Sequence, residues 1–380
     1  MKKGLAGAVL ALFLALLFVL AAGAEAGSAE ALEDAYSHLA ESIPGDVAAL
    51  LPDGFFSENM DEVHGAVKEV SGFGWIMKHV AKLLGADLKG ALRLFAHLLA
   101  VLLMAALFGT LKGIVGSEAL SKAVSLCGSL AVAGCLFSLV AGSVEAVSAF
   151  LTHLCALANG MIPVIGVLLA MGGNVGTAVV ANGGLMLFFE LVENLCIATL
   201  PAVVGICVAV AVAGCFWGGA NLRGIGNFIK KIYTFFLSFI MLLLTFSLSV
   251  QTSLTAGADS VAMKSAKMLA GRAIPVVGGS VGETLRTVAA SVSYLRTTAG
   301  TAAIVVVALL LLPTLVTVVV YRLGLIAASA CADLLGCSAE SKLLEAFITV
   351  YGYMLAVICI CSVVFVLLLT LFVKCNVAIA

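Results

Sequence analysis

The chain has 380 residues, of which 63% are hydrophobic and 11% charged, and its mean hydropathy is +1.21. Soluble globular domains contain far fewer apolar residues, so the composition excludes that class and indicates an integral membrane protein. The net charge of −1 gives no support to a nucleic-acid partner.

Residues 1–26 have the pattern of a secretory signal peptide. Lys2 and Lys3 precede an apolar run, and the small residues Ala24 and Ala26 suit cleavage after Ala26. The alternative is an uncleaved first helix, against which the small-residue ending argues. Cleavage would place the new N-terminus outside the cytoplasm.

The next two segments have opposite charge. Residues 27–62 contain nine acidic residues and no Lys or Arg, with too few apolar residues to bury a core, which predicts an acidic extracytoplasmic segment. Residues 63–93 place basic residues among apolar ones at helical spacing, with Trp75 as an anchor. They predict a basic amphipathic helix at the membrane interface, and a partner-docking helix is the alternative.

Six later stretches are apolar and about as long as the 20 residues that a spanning helix needs. They are 94–111, 124–147, 195–217, 232–250, 300–321 and 348–373. The predicted fold is an all-α polytopic membrane protein. Its first span and a cytoplasmic loop occupy 94–122, and its last span and a C-terminal tail occupy 347–380.

Two short sequence motifs recur at a separation of 112 residues. Ile162-Pro163-Val164-Ile165-Gly166 returns as Ile274-Pro275-Val276-Val277-Gly278, and we call these two segments the first and second proline words. The pair Leu200-Pro201 returns as Leu312-Pro313. This predicts an internal duplication, with membrane repeat 1 at 123–234 and membrane repeat 2 at 235–346. Repeated halves with interrupted hydrophobic segments are a known plan among membrane proteins.

The regions 150–193 and 251–299 are equivalent under this shift. Each charge at mid-bilayer costs about 2.5 kcal/mol or more, and the second region contains several, so we expect re-entrant or interfacial helical hairpins there. The candidate turns are Pro163, Gly166, Pro275 and Gly278, with a further break at Gly172-Gly173. Two true spans in 150–193 remain an alternative.

The distribution of basic residues predicts the topology. If residue 27 lies outside and only the six clear spans cross, every basic loop between spans is cytoplasmic, as the positive-inside rule requires. These loops contain Lys112, Lys122, Arg223, Lys230, Lys231, Arg322 and Lys342. The same topology places the five basic residues of 251–299 outside.

Acidic residues at membrane depth are candidates for a proton or ion site. Glu190 and Glu193 stand three apart on an otherwise apolar helix, and Glu145 lies within the second span. The alternative is that they are solvated at the interface. No catalytic, phosphate-binding or metal-ligand motif is present, and the cysteines read as small apolar residues. We therefore expect no enzyme, no metal and no cofactor.

The run from Ser249-Val250-Gln251 through Ala258-Asp259 and Ala266-Lys267 to Gly271-Arg272-Ala273 and the second proline word resembles the stage III sporulation protein AE family. The resemblance covers essentially the whole chain. It implies a member of a multiprotein complex in the mother-cell membrane around the engulfed forespore. With a forespore-membrane partner, that complex would form a channel or feeding apparatus that supports late gene expression.

Two functions follow from these observations. The chain is either a component of that trans-envelope complex, with other stage III sporulation membrane proteins as partners, or a permease with its own solute or ion path through the repeat interface. The resemblance and the scarcity of buried ionisable groups favour the first. The repeats, the broken segments and the acids favour the second.

Overall fold

The computed structural model describes residues 31, 33–52, 55, 60–70, 72–115, 118–216, 222–273 and 278–374, so the predicted signal peptide lies outside the described residues. That part of the chain contains helices and no strand. Six helices are long and apolar enough to cross a membrane, counting α6, the π-helical segment and α7 as one, which confirms the all-α polytopic fold. The elements are α1 (33–41), α2 (Gly45–Ala48), α3 (Met60–Val70), α4 (Phe73–Val115), α5 (Glu118–Met171), α6 (Val175–Leu191), a π-helical segment (Val192–Ile197), α7 (Leu200–Phe216), α8 (Leu222–Ala273), α9 (Gly278–Leu334) and α10 (Ser338–Lys374).

The long helices exceed the thickness of a bilayer. The helices α5, α8 and α9 contain 54, 52 and 57 residues. At 1.5 Å per residue each is about 80 Å long, against a hydrocarbon core of about 30 Å. The apolar stretches predicted as spans are therefore only parts of longer helices.

The predicted interfacial helix at 63–93 does not form one element. Its first residues belong to α3, which ends at Val70, and residues 73–93 are continuous with the first predicted span in α4. Gly72 lies in the break, where the low helix propensity of glycine favours an ending. Trp75 stacks on His79 with ring centroids 5.2 Å apart, one turn into α4.

The turn predicted at Pro163 and Gly166 is wrong, because both residues lie inside the continuous helix α5. The chain reverses later, at Gly172-Gly173-Asn174, the further break that the sequence indicated. Gly173 has φ +75°, and the N–H groups of Gly173 and Asn174 donate to the carbonyls of Ala170 and Leu169 at 2.9 Å each. This is a Schellman ending, which needs a left-handed residue and so favours glycine.

Residues 150–193 are thus the ends of two long helices and the turn that joins them. They are not a hairpin separate from the spans. The helix α5 carries the span 124–147 onward to Met171, and α6 leads through the π-helical segment into the span 195–217. The long apolar runs on both sides of Pro163 explain the outcome, since neighbouring helices can surround the carbonyl that proline leaves without a donor.

Residues 251–299 likewise extend α8 and α9. The helix α8 ends at Ala273, Gly278 is the first residue of α9, and Pro275 lies outside the described residues. The 112-residue shift maps the turn at 172–174 onto 284–286, inside α9. The two proline words therefore occupy different positions in their hairpins, and the duplication stays a prediction.

The helix α10 lies at the centre of the bundle. It contacts α5, α7, α8 and α9, and its aromatic residues Phe347, Tyr351, Tyr353 and Phe365 are almost fully buried. Tyr351 shares a hydrogen bond with Ser143 of α5 at 2.7 Å. The helix α4 packs against α9, and the Thr317 hydroxyl donates a hydrogen bond to the Asp87 carboxylate.

The described residues 33–70, which we call the N-terminal cap, fold against the bundle. Leu39, Ile43, Phe55, Val63 and other apolar residues of the cap are buried, in contact with α5 and α9. Burial also raises the pKa of Tyr36 to about 12. The acidic segment does not need a core of its own, because it contributes apolar residues to the core of the bundle.

The cap and the two hairpin ends lie at the same end of the molecule, which we call the hairpin end. The ring of His64 in the cap is 5.9 Å from that of Tyr294, and a Cβ on Gly172 would lie 2.8 Å from Arg296 Nη2. The starts of α5 and α10 lie at the opposite end. The predicted topology also groups these segments in this way, and the side of the membrane on which each end lies stays a prediction.

Candidate functional site: polar layers in the helical bundle

The π-helical segment interrupts the third candidate span in the middle of the bundle. In this wider turn the Leu195 carbonyl accepts hydrogen bonds from two side chains, the hydroxyls of Thr199 and Tyr233. Tyr233 belongs to α8, and its ring meets that of Tyr353 edge to face, with centroids 5.4 Å apart. Short π-helical stretches occur often at functional sites. We call the π-helical segment, together with Thr199, Tyr233 and Tyr353, the π layer.

Three cysteines lie beside the π layer. The Cys155 thiol lies 4.0 Å from the Phe189 carbonyl, and the sulfur atoms of Cys196 and Cys361 are 3.7 Å apart. All three cysteines are buried among apolar side chains. Their contacts fit packing of small apolar residues between α5, α10 and the π-helical segment, as the sequence predicted.

A second polar layer lies at the hairpin end, where Asp259 of α8 caps the N-terminus of α6. Its carboxylate accepts hydrogen bonds from the backbone N–H of Gly176 at 3.3 Å and of Thr177 at 2.9 Å. It also accepts one from the Thr177 hydroxyl at 2.9 Å. Asn174 occupies the usual capping position but makes no side-chain cap. A neighbouring helix therefore supplies the negative charge that a helix N-terminus favours.

Arg296 completes this layer. Its side chain is 1% exposed, and its guanidinium lies 5.9 Å from the centroid of the Phe372 ring, a cation–π contact between α9 and α10. With Asp259 it ties the second hairpin to the end of the first. Both residues lie in the predicted second region, and the general rule for ionisable residues in apolar segments could have singled them out.

The structure places the three predicted acids on exposed surfaces. Glu190 and Glu193 share the outer face of α6 and the π-helical segment, and Glu145 is exposed on α5. On α5 the residue beside Phe189 is Cys155, ten positions after Glu145, which corresponds to about 15 Å. No hydrogen bond or ion pair joins Glu145 to Glu190 or Glu193 in the described part of the chain.

The polar layers consist of hydrogen bonds and a cation–π contact between helices. Among the described residues, no three His, Cys, Asp or Glu side chains are grouped so that they could hold a metal ion. Two cavities within the bundle have volumes of about 30 and 10 Å³. Such volumes hold one or two water molecules. Sequence reasoning missed Asp259 and Arg296, and it also missed Thr199, Tyr233 and Tyr353, for which no local pattern exists.

The fold and these layers define a multi-pass α-helical membrane protein held together by polar ties between its spans. A family profile described as stage III sporulation protein AE matches residues 56–376. The chain belongs to the stage III sporulation protein AE family, and so has a role in stage III of sporulation. This is a family of sporulation membrane proteins and not a known enzyme family. No curated protein and no solved structure matched the chain.

Proposed function

We propose that the chain is a non-enzymatic membrane component of a channel or feeding complex between mother cell and forespore. It resides in the mother-cell membrane around the forespore and supports forespore development and late gene expression. Its partners are other stage III sporulation membrane proteins and a protein of the forespore membrane. The family membership supports the sporulation role.

The observation that carries this proposal is the N-terminal cap at the hairpin end. The cap buries its apolar face on α5 and α9 and leaves acidic side chains exposed, among them Glu33, Asp34 and Glu41. An acidic surface packed against the bundle is suited to recognise basic partner surfaces in the space between the two membranes. A solute carrier would have no need of such a platform.

The test is recovery of partner proteins from sporulating cells with a tagged chain. Replacing Glu33, Asp34 and Glu41 by Lys should lower partner recovery and spore yield at least tenfold, because like charges would then face each other. The protein level should not change, since the three side chains are exposed. The matched control is Lys342→Glu, an exposed charge at the opposite end. Normal partner recovery with the triple variant would contradict the proposal.

The π-helical segment favours the permease as a second candidate, because it lies beside the exposed carboxylates of Glu190 and Glu193 in a candidate span. A proton or ion path through these acids predicts that Glu190→Gln with Glu193→Gln abolishes sporulation while leaving partner recovery intact. Glutamine keeps the size and removes the charge. We expect normal spore counts, and a transport assay in vesicles should show no difference between this variant and the unchanged chain.

A further inference from the structure

Two basic side chains meet on the surface of α10 near the end opposite the cap. Lys230 Nζ of α8 and Arg322 Nη2 of α9 lie 3.1 and 3.5 Å from the position that a Cβ on Gly352 would occupy. Because Gly352 has no side chain, both cations can occupy the space beside its Cα atom. Like charges this close repel each other, and the repulsion is strong where water is scarce.

Neither cation has a counter-charge within the described ranges. The structure gives no ion pair to Lys230 or Arg322 there, and Arg322 Nε is buried without a hydrogen-bond partner. Both side chains are half-buried. Buried charges are normally paired, because an unpaired one is costly. The pair therefore has the character of a site for an anion, and bidentate arginine is suited to a phosphate group.

An open apolar groove lies along α8, the helix that carries Lys230. Its volume is about 410 Å³, and it is lined by Leu195 of the π-helical segment and by apolar side chains of α8 from Phe228 to Ile240. Lys230 belongs to the same stretch of α8. The groove faces outward, since Phe236 is 56% exposed. A basic pair beside an outward apolar groove matches the two halves of a phospholipid.

We propose that Lys230 and Arg322 bind the phosphate of an anionic phospholipid whose acyl chains occupy the groove along α8. Basic pockets between transmembrane helices on the cytoplasmic side recognise lipid headgroups in this way. The predicted topology places both residues on that side. The bound lipid would neutralise the cation pair and cover the exposed aromatic residues. The inference concerns the lipid-facing side of the bundle and does not depend on the proposed partners.

The experiment measures binding of fluorescent phosphatidylglycerol and phosphatidylcholine to the delipidated full chain in detergent. The unchanged chain should bind phosphatidylglycerol at least tenfold more tightly. The double variant Lys230→Gln, Arg322→Gln should lose this preference, because about 1 kcal/mol per basic residue corresponds to roughly fivefold each. The matched control is Lys231→Gln, which removes the neighbouring exposed charge and should keep the preference.

Competition with soluble phosphates tests whether the site binds the whole lipid or only its phosphate group. Inorganic phosphate or glycerol 3-phosphate at millimolar concentration should not displace the fluorescent lipid, because neither fills the groove. Lys230→Arg keeps the charge and should keep the preference for phosphatidylglycerol. If the double variant does not fold, comparison of Lys230→Arg with Lys230→Gln tests the same proposal. Unchanged lipid preference in the glutamine variants, or full displacement by either soluble phosphate, would overturn the proposal.

Discussion

The two hairpins share a proline word and differ in where they turn. In the first, Pro163 lies inside α5 and the chain reverses at Gly172-Gly173-Asn174, in a buried turn. In the second, α8 ends at Ala273, just before the second proline word, and α9 begins at Gly278, the last residue of that word. The local word therefore does not determine the turn. A glycine that can adopt positive φ, and a partner that caps the following helix, determine it in the first hairpin.

Because the two hairpins turn at different positions, the second extends further than the first at the hairpin end. Asp259 and Arg296 contact the first turn, and beyond them α8 and α9 continue for on the order of 20 Å at 1.5 Å per residue. The first hairpin is thus anchored by the second, which extends past it. A change in the anchor should destabilise the first hairpin more than the second.

The largest effect is expected from Asp259→Ala. It removes an acceptor of three hydrogen bonds and leaves the N-terminus of α6 without its cap. We expect a loss of about 2–3 kcal/mol in the free energy of unfolding, measured by denaturant titration in micelles. Asp333→Ala, an exposed acid of α9, is the control and should change little.

A double-mutant cycle shows whether the cap is responsible. Thr177→Ala should cost less in the Asp259→Ala background than alone, because its hydroxyl would already lack the carboxylate. Additive losses would mean that Asp259 stabilises the bundle by another route and would break the proposed asymmetry between the hairpins.

The next effect concerns the turn itself. Gly173→Ala forces a side chain into the left-handed region at φ +75° and should cost about 1–2 kcal/mol. Pro163→Ala should cost nothing measurable, since alanine restores a helical N–H inside α5. The unfolding free energies of both variants, with Gly134→Ala as a helix-interior control, test the comparison. Greater damage from Pro163→Ala would restore the proline as the determinant.

The smallest effects of single substitutions are expected in the π layer, whose π-helical segment has no counterpart in the described residues of the second hairpin. The 112-residue shift maps Val192–Ile197 onto 304–309, which is regular α-helix in α9. Tyr233→Phe and Thr199→Val each remove one donor to the Leu195 carbonyl and should cost about 1 kcal/mol. Their combined loss should be larger than the sum, because the carbonyl then has no side-chain donor. The same unfolding titration measures all three variants.

Composition and apolar run length were sufficient to predict the class of fold. Each of the six stretches predicted as spans overlaps one of the six helices that are long and apolar enough to cross a membrane. The ends of these helices were not predictable, because the apolar runs around Pro163 continue without a polar interruption and proline alone does not end a helix that neighbours surround. Charge was misleading in 251–299, where Arg296 is accommodated by burial against Phe372.

The candidate site was less predictable than the fold. The three acids were chosen because they interrupt apolar sequence, and the structure places them on outer surfaces. The polar ties involve partners far apart in the chain, such as Thr177 with Asp259 and Leu195 with Tyr233. Such contacts leave no local signature in one sequence, because each member alone is an ordinary polar residue in a helix.

The contact between Arg296 and Phe372 has a consequence for biogenesis. Arg296 lies early in α9, whereas Phe372 lies near the end of α10, which is synthesised after α9. The guanidinium can therefore reach this aromatic ring only after α10 has been made. A chain truncated after α9 would insert into the membrane without the cation–π contact that joins the two helices at the hairpin end.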